Sequence, residues 1–198
     1  RVFLTNSGTE ATEGALKLAK KWANQNGKRD IICFNGGFHG RTLAALAITA
    51  QKARQIPYEP LLPNVIAIDK TINHLQETVN SQTAIVVLEL ITGEGGIVPT
   101  THEFVQEMLK LREKFGFLII IDEIQSGIGR TGKLFSYEHY GFQPDLVVTA
   151  KGLGGGLPLG AILIPKHLEN VISPGEHGTT FGGNPLAAAV VVEALQVI

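Results

Sequence analysis

The sequence predicts an α/β domain of three layers, with helices on both faces of a mostly parallel, seven-stranded sheet. Three observations lead there. Seven short apolar runs, at residues 2–5, 31–35, 65–69, 84–89, 118–122, 145–149 and 161–164, punctuate the 198 residues. Most are continuous rather than alternating, as strands covered on both faces should be. Helical apolar stripes fall between several of them, which is the alternation of parallel sheets.

The elements follow in order. The first run leads into Ser7-x-x-Glu10, a spacing that predicts a capping box at a helix start. Ala11, Ala15, Leu18 and Trp22 share one stripe of that helix. The next strand holds the only cysteine, Cys33, which reads as a small buried hydrophobe rather than a reactive thiol. Beyond two further strands, Thr100-x-x-Glu103 predicts a second helix start, with Phe104, Met108, Leu111 and Phe115 as its stripe and Gly116 as its stop. Three more strands follow. Asn184 as N-cap and Pro185 at the first position then open a third helix, still periodic at Ile198. A strand at one end and an unfinished helix at the other predict that residues 1–198 are one domain of a longer polypeptide.

Composition bounds the function classes. Hydrophobic residues make up 44% and charged residues 18%, a globular balance. A net charge of −1 argues against nucleic acid or an anionic membrane as partner. One cysteine excludes an internal disulfide, and no Cys/His grouping suggests a metal. No stretch approaches the roughly 20 apolar residues of a membrane span, and no signal-peptide pattern is present, so a reducing, cytoplasmic setting is expected.

Polar and glycine-rich segments at 6–10, 36–41, 89–96, 122–132 and 151–156 each follow an apolar run directly. Ligands of such sheets sit outside the carboxyl ends of the strands, so five loops are expected to converge on one edge. Ser7-Gly8-Thr9 joins a strand to a helix start, where free amides and the positive dipole end suit a phosphate; taken alone, the same residues read first as a plain helix cap. Asp122 ends a buried strand, where a carboxylate needs a partner. A protonated ring nitrogen would serve, with Gln125 in reach of a neighbouring ring oxygen, and an ordinary N-cap is the alternative. Lys151 follows another buried strand and precedes a glycine run. In a partly dry site its amine could attack a carbonyl, whereas a lone lysine there would be solvated surface. Phe38-His39-Gly40-Arg41 offers an aromatic face, an imidazole and a guanidinium fork suited to a carboxylate; taken alone, Phe38 could be core and Arg41 a surface charge. Gly127-x-x-x-x-Gly132-Lys133 spells most of a P-loop, but Leu134 stands where a hydroxyl should hold Mg²⁺. The run 152–156 lacks dinucleotide spacing.

Six segments in this order resemble the class III (ornithine-type) aminotransferases, enzymes of pyridoxal-5′-phosphate (PLP) fold type I. They are Asn6-Ser-Gly-Thr-Glu-Ala11, Phe38-His-Gly-Arg-Thr42, Glu89-Leu-Ile-Thr-Gly-Glu-Gly-Gly96, Asp122-Glu-Ile-Gln-Ser-Gly-Ile-Gly-Arg-Thr-Gly132, Ala150-Lys-Gly-Leu-Gly-Gly155 and Thr179-Thr-Phe-Gly-Gly-Asn-Pro185. The resemblance implies that 1–198 is the PLP-binding large domain, with an N-terminal segment and a C-terminal small domain outside it. It also implies roles. Gly8 and Thr9 hold the cofactor phosphate, Phe38 lies against the pyridine ring, Asp122 pairs with its nitrogen and Gln125 contacts its phenolic oxygen. Lys151 carries the cofactor as a Schiff base, and Asp122 and Lys151 are the catalytic pair. Arg41 binds a substrate carboxylate, Thr179 can touch substrate, and Glu94 pairs with an arginine of the small domain. Thr180 reaches the phosphate of a partner subunit, which implies a homodimer with a shared active site.

Glu59-Pro-Leu-Leu-Pro63, Tyr137-Glu-His-Tyr-Gly141 and His177-Gly-Thr-Thr-Phe-Gly182 are similar to the acetylornithine branch. That implies N-acetylornithine as amino donor, 2-oxoglutarate as acceptor and a place in arginine biosynthesis. Two residues depart from the family pattern: Leu90 replaces the usual proline, expected to loosen its loop, and Thr92 replaces the usual glutamine, removing an amide near the site. Other ω-amino donors (ornithine, succinylornithine, 4-aminobutyrate, a diamine) remain alternatives, as does a non-catalytic module that binds PLP or phosphate.

Overall fold

A computed structural model describes all 198 residues. Its main sheet contains β1 (Val2–Thr5), β2 (Asp30–Phe34), β3 (Val65–Ile68), β4 (Thr83–Leu88), β7 (Leu118–Asp122), β8 (Leu146–Thr149) and β9 (Gly160–Leu163). They lie in the order β1-β9-β8-β7-β4-β2-β3. β9 runs antiparallel to both neighbours and every other pairing is parallel. The seven expected strands are all present and the sheet is mostly parallel. A separate hairpin, β5 (Ile91–Thr92) and β6 (Val98–Pro99), has strands too short to register as apolar runs.

The continuous apolar runs have a direct cause. Ile31, Cys33, Ile85, Val87, Leu118 and Ile120 belong to one buried cluster under α1 (Gly8–Gln25). Ile32, Phe34, Val86, Leu88, Ile119 and Ile121 belong to a second, covered by α4 (Ile72–Thr78) and α5 (His102–Phe115). Side chains alternate across each strand, and both faces are dry, so every position is apolar.

Helix ends refine the expectations. Ser7 Oγ accepts from the Glu10 amide, but the Glu10 carboxylate accepts from the backbone of Asn6 at 2.6 Å rather than closing onto Ser7. α5 is capped by Thr101, whose hydroxyl accepts from the Phe104 amide, one residue after the expected Thr100. Gly116 stops it at φ 65°, where a Cβ would be strained. Asn184 caps α6 (Pro185–Val197) as expected. α2 (Leu43–Ile48), α3 (Lys52–Gln55) and α4 went unread, being too short to show a period. Asp145 lies outside β8 because its carboxylate is turned to the Ile119 amide and the Arg112 guanidinium, at the sheet edge away from the polar loops.

Candidate active site

Because β9 alone is reversed, the carboxyl ends of β1, β2, β4, β7 and β8 share one edge with the start of β9. A cavity of about 470 Å³ opens there. All five polar loops reach it, through Asn6–Thr9, Phe38–Arg41, Glu89, Asp122 with Gln125, and Lys151; residues 157–159 before β9 close the ring.

The turn from β1 to α1 forms one wall. Ser7 is the N-cap, so the amides of Gly8 and Thr9 have no intrahelical acceptor and the positive dipole end faces the cavity. A Cβ on Gly8 would stand 2.7 Å from Ile124 Cδ1, so a larger residue at this helix start would have to displace the Ile124 side chain.

Asp122 is the expected strand-end carboxylate, 4% exposed. Both of its oxygens are used: Oδ1 accepts from the Ile124 amide at 3.0 Å, and Oδ2 lies 2.7 Å from His39 Nδ1. His39 is itself 2% exposed. Its part was not assigned from sequence, since it lies 83 positions from Asp122. Its one signal was its place in the loop between Phe38 and Arg41.

Glu89 was also missed. It directly follows β4, level with Asp122, the strands being paired Leu88 to Ile121. Burial, and then the nearby Asp122 carboxylate, push its carboxyl above the usual range; the facing His39 and two amide bonds oppose this. Those bonds come from Phe38 N at 3.0 Å and Gly93 N at 3.2 Å, so Glu89 ties the aromatic wall to the following loop. A Cβ on Gly93 would meet the Gln125 amide oxygen, so a larger residue there would have to turn the exposed Gln125 side chain aside.

Lys151 brings its side chain to the cavity from the 3-10 turn Lys151–Gly154, with φ 44°. A left-handed non-glycine residue stores strain and fixes where its side chain leaves the backbone. It is exposed, unlike the expected desolvated amine. Arg41 and Gln125 are exposed on the same rim.

Three expected site residues lie elsewhere in the chain. Thr179 and Thr180 line an adjoining cavity that shares only Asn6 with the first, and Asn6 Nδ2 donates to Thr179 Oγ1 at 2.9 Å. Glu94 is on the surface of the hairpin loop and pairs with Arg54 at 3.1 Å, within this domain. The two departures also behave differently from expectation. Leu90 is fully buried in the second cluster, anchoring its loop instead of loosening it. Thr92 accepts from Lys70 Nζ at 2.6 Å, so a lysine amine meets the polar position. Burial pushes the Lys70 amine below its ordinary range, opposed by Glu89.

A sequence model of the family described as Aminotransferase class-III matches residues 1–198. An acetylornithine aminotransferase of Archaeoglobus fulgidus is 43% identical over 199 residues, 100% of this chain and 52% of that protein. A succinylornithine transaminase of Salmonella newport is 44% identical over 202 residues, 100% of this chain and 50% of that protein. Among solved structures, an ornithine aminotransferase from Toxoplasma gondii, with partial occupancy of PLP at its active site, superposes with a TM-score of 0.93 at 36% identity, over 100% of this chain and 48% of that one. A thermostable (S)-enantioselective omega-transaminase from Thermomicrobium roseum gives 0.92 at 28% identity, over 100% and 51%. The chain spans about half the length of the curated relatives it matches.

Proposed function

Since the chain belongs to the class III aminotransferases, we propose that it is the PLP-binding large domain of an enzyme that moves an ω-amino group from an acylated ornithine to 2-oxoglutarate. N-acetylornithine is the donor that the branch motifs favour; a succinylornithine transaminase matches at nearly the same identity and supports the second reading. The observation that carries the proposal is the meeting of Lys151, Asp122 and the open start of α1 in one cavity.

The residues present suit PLP. The Gly8 and Thr9 amides can donate to a phosphate at a helix start, where its charge is favoured. Phe38 offers a ring face, and Gln125 a side-chain amide for the phenolic oxygen. When bound, PLP supplies an electron sink for the bond being broken. Asp122 holds a proton at the pyridine nitrogen, and His39 with the Ile124 amide keeps its carboxylate oriented. Lys151 is the only lysine on the cavity wall. It would hold the cofactor through its amine and, with that amine free, would carry the proton from the donor carbon. Arg41 takes the donor's carboxylate through its fork. Thr179 touches substrate. Glu94, paired with Arg54 here, takes a second cation from beyond this domain. Thr180, on the exposed rim of the adjoining cavity, reaches the phosphate of a partner subunit, making the enzyme a homodimer. The cytoplasm suits a chain with one buried cysteine and no helix long and apolar enough to cross a membrane.

The protein as its cells make it should therefore show visible absorbance when purified, lost on addition of N-acetylornithine and restored by 2-oxoglutarate. Lys151→Ala should abolish both changes, a loss of at least about 10²–10⁴ in rate. A parent protein whose spectrum no ω-amino donor alters would overturn the proposal.

A further inference from the structure

Arg41 is exposed on the rim of the Lys151 cavity, and the backbone that carries it decides where its fork stands. The next residue, Thr42, is the N-cap of α2, yet its side chain makes no cap bond to that helix. It donates instead to Glu13 Oε1, in the second turn of α1. The same oxygen accepts from Ala44 N at 3.1 Å and from Ala45 N at 3.2 Å. Both amides lie in the first turn of α2 and have no intrahelical acceptor. An N-cap side chain ordinarily meets that need; here a carboxylate 31 positions back does so.

The contact continues along one face of α1. Thr9 and Glu13 stand four residues apart, so their side chains share one side of the helix. Thr9 Oγ1 lies 3.1 Å from Thr42 Oγ1. A carboxylate only accepts, so Thr42 gives its one proton to Glu13 and Thr9 is the donor of the hydroxyl pair. The Thr9 hydroxyl is therefore committed to the Arg41 loop, while its amide is left for an anion. A Cβ on Gly40 would meet both Thr9 and Ala45, so the loop lies flush against this face. Stability alone does not call for such an arrangement, since an Asn or Asp at position 42 would cap α2 locally. A cap supplied from α1 does something further: it ties the carboxylate fork to the helix whose start faces the cavity.

Resting on the aminotransferase reading of that cavity, we propose that Glu13 is a positioning residue for the donor's carboxylate. By capping α2 from α1 it fixes the Arg41 fork relative to the turn at Gly8 and Thr9. A donor that presents a carboxylate to Arg41 gains from this placement, and a donor without one does not.

The test compares two donors that differ only in the carboxylate, N-acetylornithine and N-acetylputrescine, in the parent protein and in Glu13 variants. Glu13→Ala should lower the acetylornithine-to-acetylputrescine ratio of kcat/KM roughly 2–30-fold, the span of a lost helix cap, through KM for the first donor. Glu13→Gln keeps an acceptor oxygen without the charge, so its fall should be smaller and in the same direction. Adding Thr42→Asn to Glu13→Ala supplies a local cap and should restore most of the ratio. Calorimetry with N-acetylnorvaline, which has the carboxylate but no transferable amine, reads the fork without turnover. Its affinity should fall in Glu13→Ala by the same factor as the ratio, and further in Arg41→Met. A ratio unmoved in both Glu13 variants overturns the proposal, as does a fall that Thr42→Asn leaves unrepaired. A parent spectrum that no ω-amino donor shifts, with N-acetylnorvaline binding still weakened by Glu13→Ala, would overturn the aminotransferase reading while upholding Glu13 as the residue that places Arg41.

Discussion

Replacing Glu89 by alanine and by glutamine should have very different consequences, and the difference can be worked from its two bonds. The carboxylate is 7% exposed and accepts from the amides of Phe38 and Gly93. Glu89→Ala leaves both buried amides unmade, at about 1–3 kcal/mol each, or about 2–6 kcal/mol together. For a chain of 198 residues that is a fall in Tm of at least about 4 °C. Glu89→Gln keeps one acceptor and turns an NH₂ toward the other amide, so it should cost about half as much at mildly acidic pH. The pH dependence then separates the two effects. The folded-state pKa of Glu89 is raised, chiefly by burial, so the native state holds this proton more tightly than the unfolded chain. The parent therefore loses stability as the pH rises from the ordinary carboxylate value through the folded one. Glutamine does not titrate, so the gap between parent and Glu89→Gln should narrow over that window. Thermal unfolding followed by circular dichroism at several pH values reads both quantities. A gap that widens with pH, or a glutamine variant as unstable as the alanine one, would refute this account of Glu89.

The remaining predictions concern other buried groups. His39→Phe removes one of the two bonds that orient Asp122, so single-turnover proton transfer with a bound donor should slow roughly 10–100-fold, as for a lost bond to a charged group. Asp122→Asn should slow it further, and equal effects would show that His39 does more than orient. Cys33, fully buried with its thiol pushed up to about 12, should resist thiol reagents in the native protein at pH 8 and react only on unfolding. The Lys70 pKa is lowered on folding, so its contribution should grow as the pH rises from the folded value toward the ordinary 10.5. The stability gap between the parent and Lys70→Met, measured by urea unfolding, should widen over that range.

What could be read from the sequence divides along a physical line. Strands buried on both faces announce themselves, because Leu118–Asp122 and its neighbours have no solvent-facing position to spend on a polar residue. The same logic exposed Asp122, since a carboxylate at the end of such a strand demands a partner. It applies with equal force to Glu89, the residue directly after β4. The identity of the partners was beyond it: His39 approaches Asp122 across 83 positions, and only the order of β2, β4 and β7 in the sheet makes them neighbours. α2, α3 and α4, of 6, 4 and 7 residues, never complete enough turns for a period to emerge.

Exposed groups follow a different rule. Lys151, Arg41, Gln125 and Thr180 meet water rather than a buried partner, so nothing within the chain obliges them to be where they are. Such residues become legible only through a motif or through geometry that the fold does not need. The φ of 44° at Lys151 is of that kind, because a lysine gains nothing for stability from a left-handed backbone.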